Sequence, residues 1–251
     1  MPENNRRIVI VGATSSIAEH CARLWVSDGG VDLTLVGRDL GKTERVATDL
    51  RIRSPKSLIR VHQTDFIDPP AIRRLVDAVI AEGPVDTVLI AHGSLPNQQV
   101  CQDDLRTGYE EMIINGISPA LFAEAFAGHM QKSRSGTLAI IGSVAGDRGR
   151  KSNYLYGAAK GLVTRYAQGL QHRLAGTGVA VVLIKPGPTD TPMTTQLQAK
   201  GGSLAKVDDV AKQIVKGIAL RKSVVYAPAK WALIMMVIRH LPSAIFNKLD
   251  I

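Results

Sequence analysis

The sequence has 251 residues, 45% of them hydrophobic and 21% charged. That balance excludes collagen-like, low-complexity and wholly disordered chains, and the length suits one α/β domain with a sizeable core. Lysine and arginine number 31 against 22 acidic residues, a net charge of +9, which favours an anionic partner without choosing among nucleic acid, phosphate-bearing ligands and acidic lipid.

The first strand-like run, 7–11, follows the polar start MPENNRR. It is too short for a signal-peptide core and far too short to span a bilayer. No stretch reaches about 18 consecutive apolar residues, so no transmembrane helix is expected. Similar runs occupy 32–36, 58–62, 87–91, 137–141, 180–184 and 223–226. They are almost continuously apolar rather than alternating, the pattern of strands buried on both faces of a parallel sheet. Helical periodicity fills the intervals. Ile17, Cys21, Leu24 and Trp25 mark one helix, stopped by Gly29-Gly30; Ile72, Leu75, Val76, Val79 and Ile80 mark a second. Val210, Ile214 and Ile218 mark another, opened by Asp208-Asp209 at its positive end. The alternation predicts one doubly wound α/β domain over 1–228, with a parallel sheet of about seven strands and helices on both faces. The polar stretch 189–206, with Gly201-Gly202, reads as a mobile flap, and 229–251 as an apolar and basic extension. Cys21 and Cys101 lie far apart in no ligand-like spacing; no disulfide scaffold or metal site is expected, and a reducing compartment fits.

The first run leads into Gly12-Ala13-Thr14-Ser15-Ser16-Ile17-Ala18 and then a helix. A strand, a tight small-residue turn and a helix N-terminus present free amides and a positive dipole end to a pyrophosphate. Mere packing is the other reading of such a turn. The second run ends in Val36-Gly37-Arg38. Beside an adenosine ribose an acid would hold a free 2′-hydroxyl, whereas an arginine suits a 2′-phosphate, so Arg38 favours NADP(H) over NAD(H). Asp65 is placed either to touch the adenine or to cap a turn.

Tyr156 and Lys160 stand four apart at the start of a helix, which puts them on one face. A phenol with a pKa near 10 is a poor proton carrier at neutral pH, and a nearby ammonium is expected to lower it. Ser143 lies 13 residues before Tyr156, after an apolar strand whose end faces the ligand edge of the sheet. Asn115, on an earlier helical stretch, can hold a water.

With this serine, tyrosine and lysine downstream of a phosphate cradle, residues 6–228 resemble the short-chain dehydrogenase/reductase family, which has a Rossmann-like fold. The resemblance implies a catalytic set of Asn115, Ser143, Tyr156 and Lys160. It implies cofactor contacts from the first turn (Gly12, Thr14, Ser15, Ser16, Ile17), from Ala91 and Gly93, and from the Lys185-Pro186-Gly187-Pro188-Thr189-Asp190-Thr191 segment, with Thr191 at the nicotinamide carboxamide. Tyr156 and Lys160 would also touch the cofactor. Ser16 and Ala18 replace two of the three glycines usual in that family's first turn, and Ile90-Ala91-His92-Gly93 stands where it has Asn-Asn-Ala-Gly. His92 is read as structural. The stretch 142–154 and the tail 226–242 further resemble decaprenylphosphoryl 2-keto-ribose reductases. This implies reduction of a polyprenyl-phosphate-linked keto sugar for cell-wall glycan, and an oxidase partner that supplies the ketone.

Arg148, Arg150 and Lys151 lie between Ser143 and Tyr156 and are expected to rim the substrate mouth, binding a substrate phosphate or simply forming a solvated basic loop. The tail run Trp231–Ile238, flanked by Lys230 and Arg239-His240, covers about 12 Å as a helix and cannot span a bilayer. It suits either a membrane surface or subunit packing in a homodimer or homotetramer. A cytoplasmic protein, free or at the inner membrane face, is expected. Nucleic-acid binding lacks a motif or an aromatic platform, since aromatic residues are 4%. A reductase of a soluble ketone and a non-catalytic NADP sensor are the competing functions; a pure sensor has no need of the Ser–Tyr–Lys set.

Overall fold

A computed structural model describes residues 6–195 and 203–249. Seven parallel strands form one sheet: β1 (Arg6–Val11), β2 (Val31–Gly37), β3 (Leu58–Gln63), β4 (Thr87–Ile90), β5 (Thr137–Ile141), β6 (Ala180–Pro186) and β7 (Val224–Ala227). Their order is β3-β2-β1-β4-β5-β6-β7. Winding runs outward from β1 in one direction and from β4 in the other. The C-terminal ends of β1 and β4 therefore bound a crevice at the topological switch point. The expected parallel α/β architecture is what the chain adopts.

The alternation of side chains along β1 supplies two cores at once. Val9 and Val11 join Phe66, Val76, Phe122, Phe126 and Leu183 on one face, under α3 (Pro69–Ala81), α6 (Ser118–Ser133) and α7 (Tyr154–Leu174). Ile8 and Ile10 join Trp25, Leu35, Leu50 and Ile214 on the other, under α1 (Ser16–Ser27), α2 (Leu40–Arg53) and α8 (Val207–Ala219). Because both faces are covered, the strands carry no polar stripe, which is why they read as unbroken apolar runs. Helix starts are chemically marked. Asp39 accepts from the Lys42 amide at 2.9 Å, and Asp68, followed by Pro69, accepts from the Ala71 amide at 3.1 Å.

Two regions differ in detail from the sequence reading. Between β4 and α6 lie two short helices, α4 (Gln98–Asp103) and α5 (Leu105–Met112), and then a π-helical turn, Ile113–Ile117, that carries Asn115. Towards the end of the described residues, α9 (Lys230–His240) packs beside the edge strand β7 and is followed by α10 (Ser243–Phe246), with Met235 buried while Leu233, Met236 and Val237 remain exposed. Within the expected flap, Thr189 pairs with Ala205 and Pro192–Thr194 forms a 3₁₀ turn; Gly201-Gly202 lies outside the described residues. No described helix is long and apolar enough to cross a membrane, and no metal-binding cluster of His, Cys, Asp and Glu occurs among the described residues.

Candidate active site

The end of β1 shows why a glycine is required at position 12. Its φ is +86°, and a Cβ there would lie 2.6 Å from the backbone nitrogen of His92. The amides of Gly12 and Ala13 both donate to the Val36 carbonyl, at 2.9 and 3.1 Å, which folds the turn across β2. Ser15 is the N-cap of α1, yet its side chain makes no capping bond. The first-turn amides of α1, from Ser16 and Ile17 onward, therefore face the crevice without helical acceptors. These residues fit a pyrophosphate at the helix N-terminus, with Ser16 and Ala18 small enough to keep backbone and ligand close.

At the end of β2, a Cβ on Gly37 would meet the Thr43 hydroxyl at 2.0 Å. Arg38 is exposed, its guanidinium carbon 5.9 Å from the Phe66 ring centroid, and its carbonyl accepts from Gln63 Nε2 at 2.9 Å. Asp65 caps a turn: its Oδ1 accepts from the Ile67 amide at 2.9 Å. Next to Thr14 the first turns of α2 bring Lys42 and Arg45 to a second cleft of about 300 Å³. Those two cations escaped the sequence reading, although their spacing from Arg38 along α2 carries the signal.

The main cavity, about 930 Å³, runs from Ser15 and Ile17 past Ala91 and Gly93 to Ser143, Tyr156 and Lys160. Pro186, Gly187, Thr189 and Thr191 form another wall. Gly187 is fixed by its amide N–H, which donates to the Ala227 carbonyl at 2.9 Å, and a Cβ on it would strike the Trp231 indole. Thr189 Oγ1 donates to the Gly187 carbonyl at 2.9 Å, while Thr191 and Thr194 cap each other in the following turn.

Ser143 and Tyr156 share the cavity wall, close enough for the serine hydroxyl to lower the phenol's pKa. Ser143 Oγ accepts from the Ala145 amide at 3.1 Å, which fixes its rotamer. Lys160 is 2% exposed; its Nζ donates to the Ile141 carbonyl at 3.2 Å and stands 5.8 Å from the Tyr156 ring centroid. The expected acidification of the phenol by this ammonium is not what the structure displays. Burial dominates, pushing Tyr156 up to about 12 against a smaller lowering by Ser143, and pulling Lys160 down to about 8. Tyr156 is thus a loaded proton donor at neutral pH.

Asn115 does not line the cavity; it stands behind Gly93. A Cβ on Gly93 would lie 2.8 Å from Asn115 Oδ1 and 3.4 Å from Lys160 Nζ, so this glycine keeps the amide and the ammonium on one side of β4's end. Asn115 is fully buried. Its Oδ1 accepts from the Ser94 amide at 2.9 Å, and its Nδ2 donates to Glu111 Oε2 at 2.8 Å and to Ser94 Oγ at 3.1 Å. The Ser94 hydroxyl bonds Glu111 as well. Ser94 and Glu111 were not singled out in the sequence; only the π turn, which has no reliable local signature, brings them together with Asn115.

His92 is buried between Phe66 and Phe122, with ring centroids at 4.7 and 5.5 Å. Its Nε2 bonds Ser118 Oγ at 2.8 Å, and burial drives its pKa down to about 3. A neutral ring in an aromatic sandwich is a packing element.

The basic loop needs a correction. Arg148 is not at the substrate mouth. Its guanidinium donates to the carbonyls of Ile238 and Leu241, both at 2.6 Å, and lies 3.8 Å over the Phe246 ring. The carbonyls at the C-terminus of α9 attract a cation, and Arg148 answers them. Lys151 is exposed and has an interaction partner. Arg150 alone of the three lines the cavity. Within the same loop the Asp147 side chain, 2% exposed, forms an ion pair with Lys185, 4% exposed, and accepts from the Tyr226 hydroxyl at 2.8 Å.

The family model for short chain dehydrogenases matches residues 6–202. The chain belongs to the short-chain dehydrogenase/reductase family. Similar proteins include an uncharacterized oxidoreductase of Streptomyces coelicolor, 28% identical over 97% of this chain and 96% of the relative. Another, from Mycobacterium tuberculosis, is 29% identical over 96% of each chain. Among solved structures, a short-chain dehydrogenase from Burkholderia cenocepacia in complex with NADP superposes with a TM-score of 0.83 at 17% identity, over 100% of both chains. One from Sphingobium yanoikuyae in complex with NADPH gives 0.81 at 22% identity, covering 95% of this chain and 97% of that one. These likenesses establish the fold. As a short-chain dehydrogenase/reductase, the protein is an NAD(P)-dependent oxidoreductase.

Proposed function

We propose that this protein is an NADPH-dependent reductase of a ketone, with Tyr156 as proton donor. The observation that carries the reading is a half-buried, protonated phenol beside Ser143 and Lys160, in a cavity that begins at the phosphate cradle. A bound reduced nicotinamide supplies the hydride. Ser143 and Tyr156 hold the substrate oxygen by two hydrogen bonds. Tyr156 gives that oxygen its proton as negative charge develops, the point at which both bonds strengthen. Lys160 orients the cofactor ribose and offsets the charge left on the phenolate. Asn115, braced by Ser94 and Glu111, holds the return path for a proton behind Gly93. The cradle residues hold the pyrophosphate, while Ala91 and Gly93 on one side and Pro186, Gly187, Thr189 and Thr191 on the other bound the ring.

The preference for NADPH rests on Arg38, supported by Lys42 and Arg45 at the neighbouring cleft, and on the absence of an acid at the end of β2. Arg38→Ala should weaken NADPH by about 1.5–3 kcal/mol, the worth of hydrogen bonds to a charged group, and leave NADH nearly unchanged.

For the substrate we favour a polyprenyl-phosphate-linked 2-keto sugar of cell-envelope glycan synthesis, its ketone supplied by a separate oxidase. The resemblance of 142–154 and 226–242 supports this, as does the exposed face of Leu233, Met236 and Val237 on α9, with Lys230, Arg239 and Lys248 around it to meet anionic headgroups. A cytoplasmic enzyme resting on the inner face of the membrane fits that chemistry. The same apolar face is also suited to joining copies of the chain in a dimer or tetramer.

NADPH oxidation measured against keto sugars with and without a prenyl-phosphate anchor tests the reading. Turnover confined to anchored ketones supports it. Equal turnover of unanchored ketones moves the assignment to a soluble carbonyl, and NADPH binding without turnover of any ketone leaves a cofactor sensor. Vesicle flotation and sedimentation, each with and without 229–251, separate membrane contact from self-association.

A further inference from the structure

Beyond the reacting groups and the neutral His92 ring, the cavity wall contains three polar atoms with unmet demands. Arg150 Nε, Gln98 Nε2 and Asn153 Oδ1 are shielded from solvent and have no hydrogen-bond partner among the described residues. All three residues line the same cavity as Ser143 and Tyr156. In a folded protein such atoms are rare, because each unpaired buried polar group costs on the order of 1–3 kcal/mol, and a charged one costs more.

The three are held in place by neighbours. Gln98 spends its carbonyl on the Leu155 amide of α7, at 3.0 Å, which aims the amide nitrogen away from that contact. Asn153, the N-cap of α7, makes no capping bond with its side chain, and its backbone amide donates to the Arg150 carbonyl at 3.1 Å. Arg150 has no carboxylate partner among the described residues, and burial pulls its pKa below the ordinary guanidinium value, the mark of a cation without a counter-ion. Its two basic neighbours are already engaged: Arg148 with the tail carbonyls, Lys151 with a partner of its own. The chemistry that satisfies this group is an oxyanion received by Arg150 and Gln98, on a molecule that also carries a hydroxyl to donate to Asn153.

We infer that Arg150, Gln98 and Asn153 form a substrate-recognition subsite for a ketone carrying a phosphate or carboxylate group and a neighbouring hydroxyl. This rests on the reductase reading and deepens it. The reacting carbonyl sits at Ser143 and Tyr156, and the anionic end lies against the loop between that serine and α7. The fourth unpartnered atom, Nδ1 of His92, belongs to a neutral ring at the end of β4 and takes no part.

Two measurements test it. In the first, sodium phosphate is titrated calorimetrically into protein saturated with NADP⁺, so that the pyrophosphate cradle is filled. Saturable binding by wild type, weakened roughly 10–100-fold by Arg150→Gln and partly kept by Arg150→Lys, is the expected result, the range for a hydrogen bond to a charged group. No saturable binding by wild type, or equal binding by Arg150→Gln, overturns the subsite. In the second, kcat/KM is compared for D-ribulose 5-phosphate against D-ribulose, and for 4-oxopentanoate against its methyl ester. Arg150→Gln should erase most of the wild-type preference for the anionic member, through KM, and the pair that shows it tells phosphate from carboxylate. Ketone turnover with a preference indifferent to Arg150 sinks the subsite and spares the reductase. Arg150-dependent phosphate binding with no ketone turnover does the reverse.

Discussion

Asp147 lies within the loop that carries Ser143 and Arg150, and removing its charge is a demanding test of how that loop is held. The carboxylate is 2% exposed, paired with Lys185 at 4% exposure and accepting from Tyr226 at 2.8 Å. Asp147→Asn keeps the shape but leaves the Lys185 ammonium buried without its counter-charge. Breaking a buried pair from one side typically costs about 3–5 kcal/mol. For a domain of this size that is a fall in Tm of roughly 6–20 °C, at about 2–4 °C per kcal/mol. Lys185→Met should cost a similar amount, and the double variant, with no charge left to bury, should recover most of the loss. Calorimetric melts of all four proteins, closed as a double-mutant cycle, supply the coupling energy. The predicted value is at least ~2 kcal/mol. If Asp147→Asn melts within about 2 °C of wild type, or the two losses simply add, the pair is not what fastens the loop and the reasoning fails.

Three further outcomes follow from the site. Tyr156→Phe should lower kcat by roughly 10²–10⁴ while NADPH affinity, followed by cofactor fluorescence, stays near wild type; near-normal turnover would remove Tyr156 as proton donor. With Lys160 near pKa 8 and Tyr156 near 12, the ammonium is present below pH 7 and lost as pH rises through 8, while the phenol stays protonated. Ketone reduction should therefore be level on the acid side and decline above about pH 8, and a profile flat to pH 10 would contradict that. Gly12→Ala combines a left-handed backbone with a Cβ 2.6 Å from His92 N; about 2–5 kcal/mol of destabilisation and a large loss of NADPH affinity are expected, read by melts and by cofactor titration.

The legible parts of this protein are those fixed by local spacing. Apolar runs such as 137–141 marked strands because both faces of the sheet are covered, and Tyr156 with Lys160 marked one helix face because four residues make about one turn. What could not be read depends on contacts between distant segments. Arg148 looked like a ligand for phosphate because its neighbours in sequence are basic; its acceptors are carbonyls some ninety residues away. The spacing showed Tyr156 near Lys160 and suggested a lowered phenol pKa, whereas the desolvation that raises it arises only when the cavity wall is assembled. Gln98, Glu111 and Ser94 gave no sign of belonging with the site, since α4, α5 and the π turn between β4 and α6 have to form before they meet Leu155 and Asn115.

The hook of Arg148 on the end of α9 bears on protein engineering. The segment 143–153, which carries Ser143 and Arg150, is clipped to the C-terminal helices by the Arg148 guanidinium. Transplanting that segment into another scaffold of the same architecture would strand the arginine unless its helical clasp travelled too. Chimeras that swap substrate range should therefore exchange the two pieces as a single cassette.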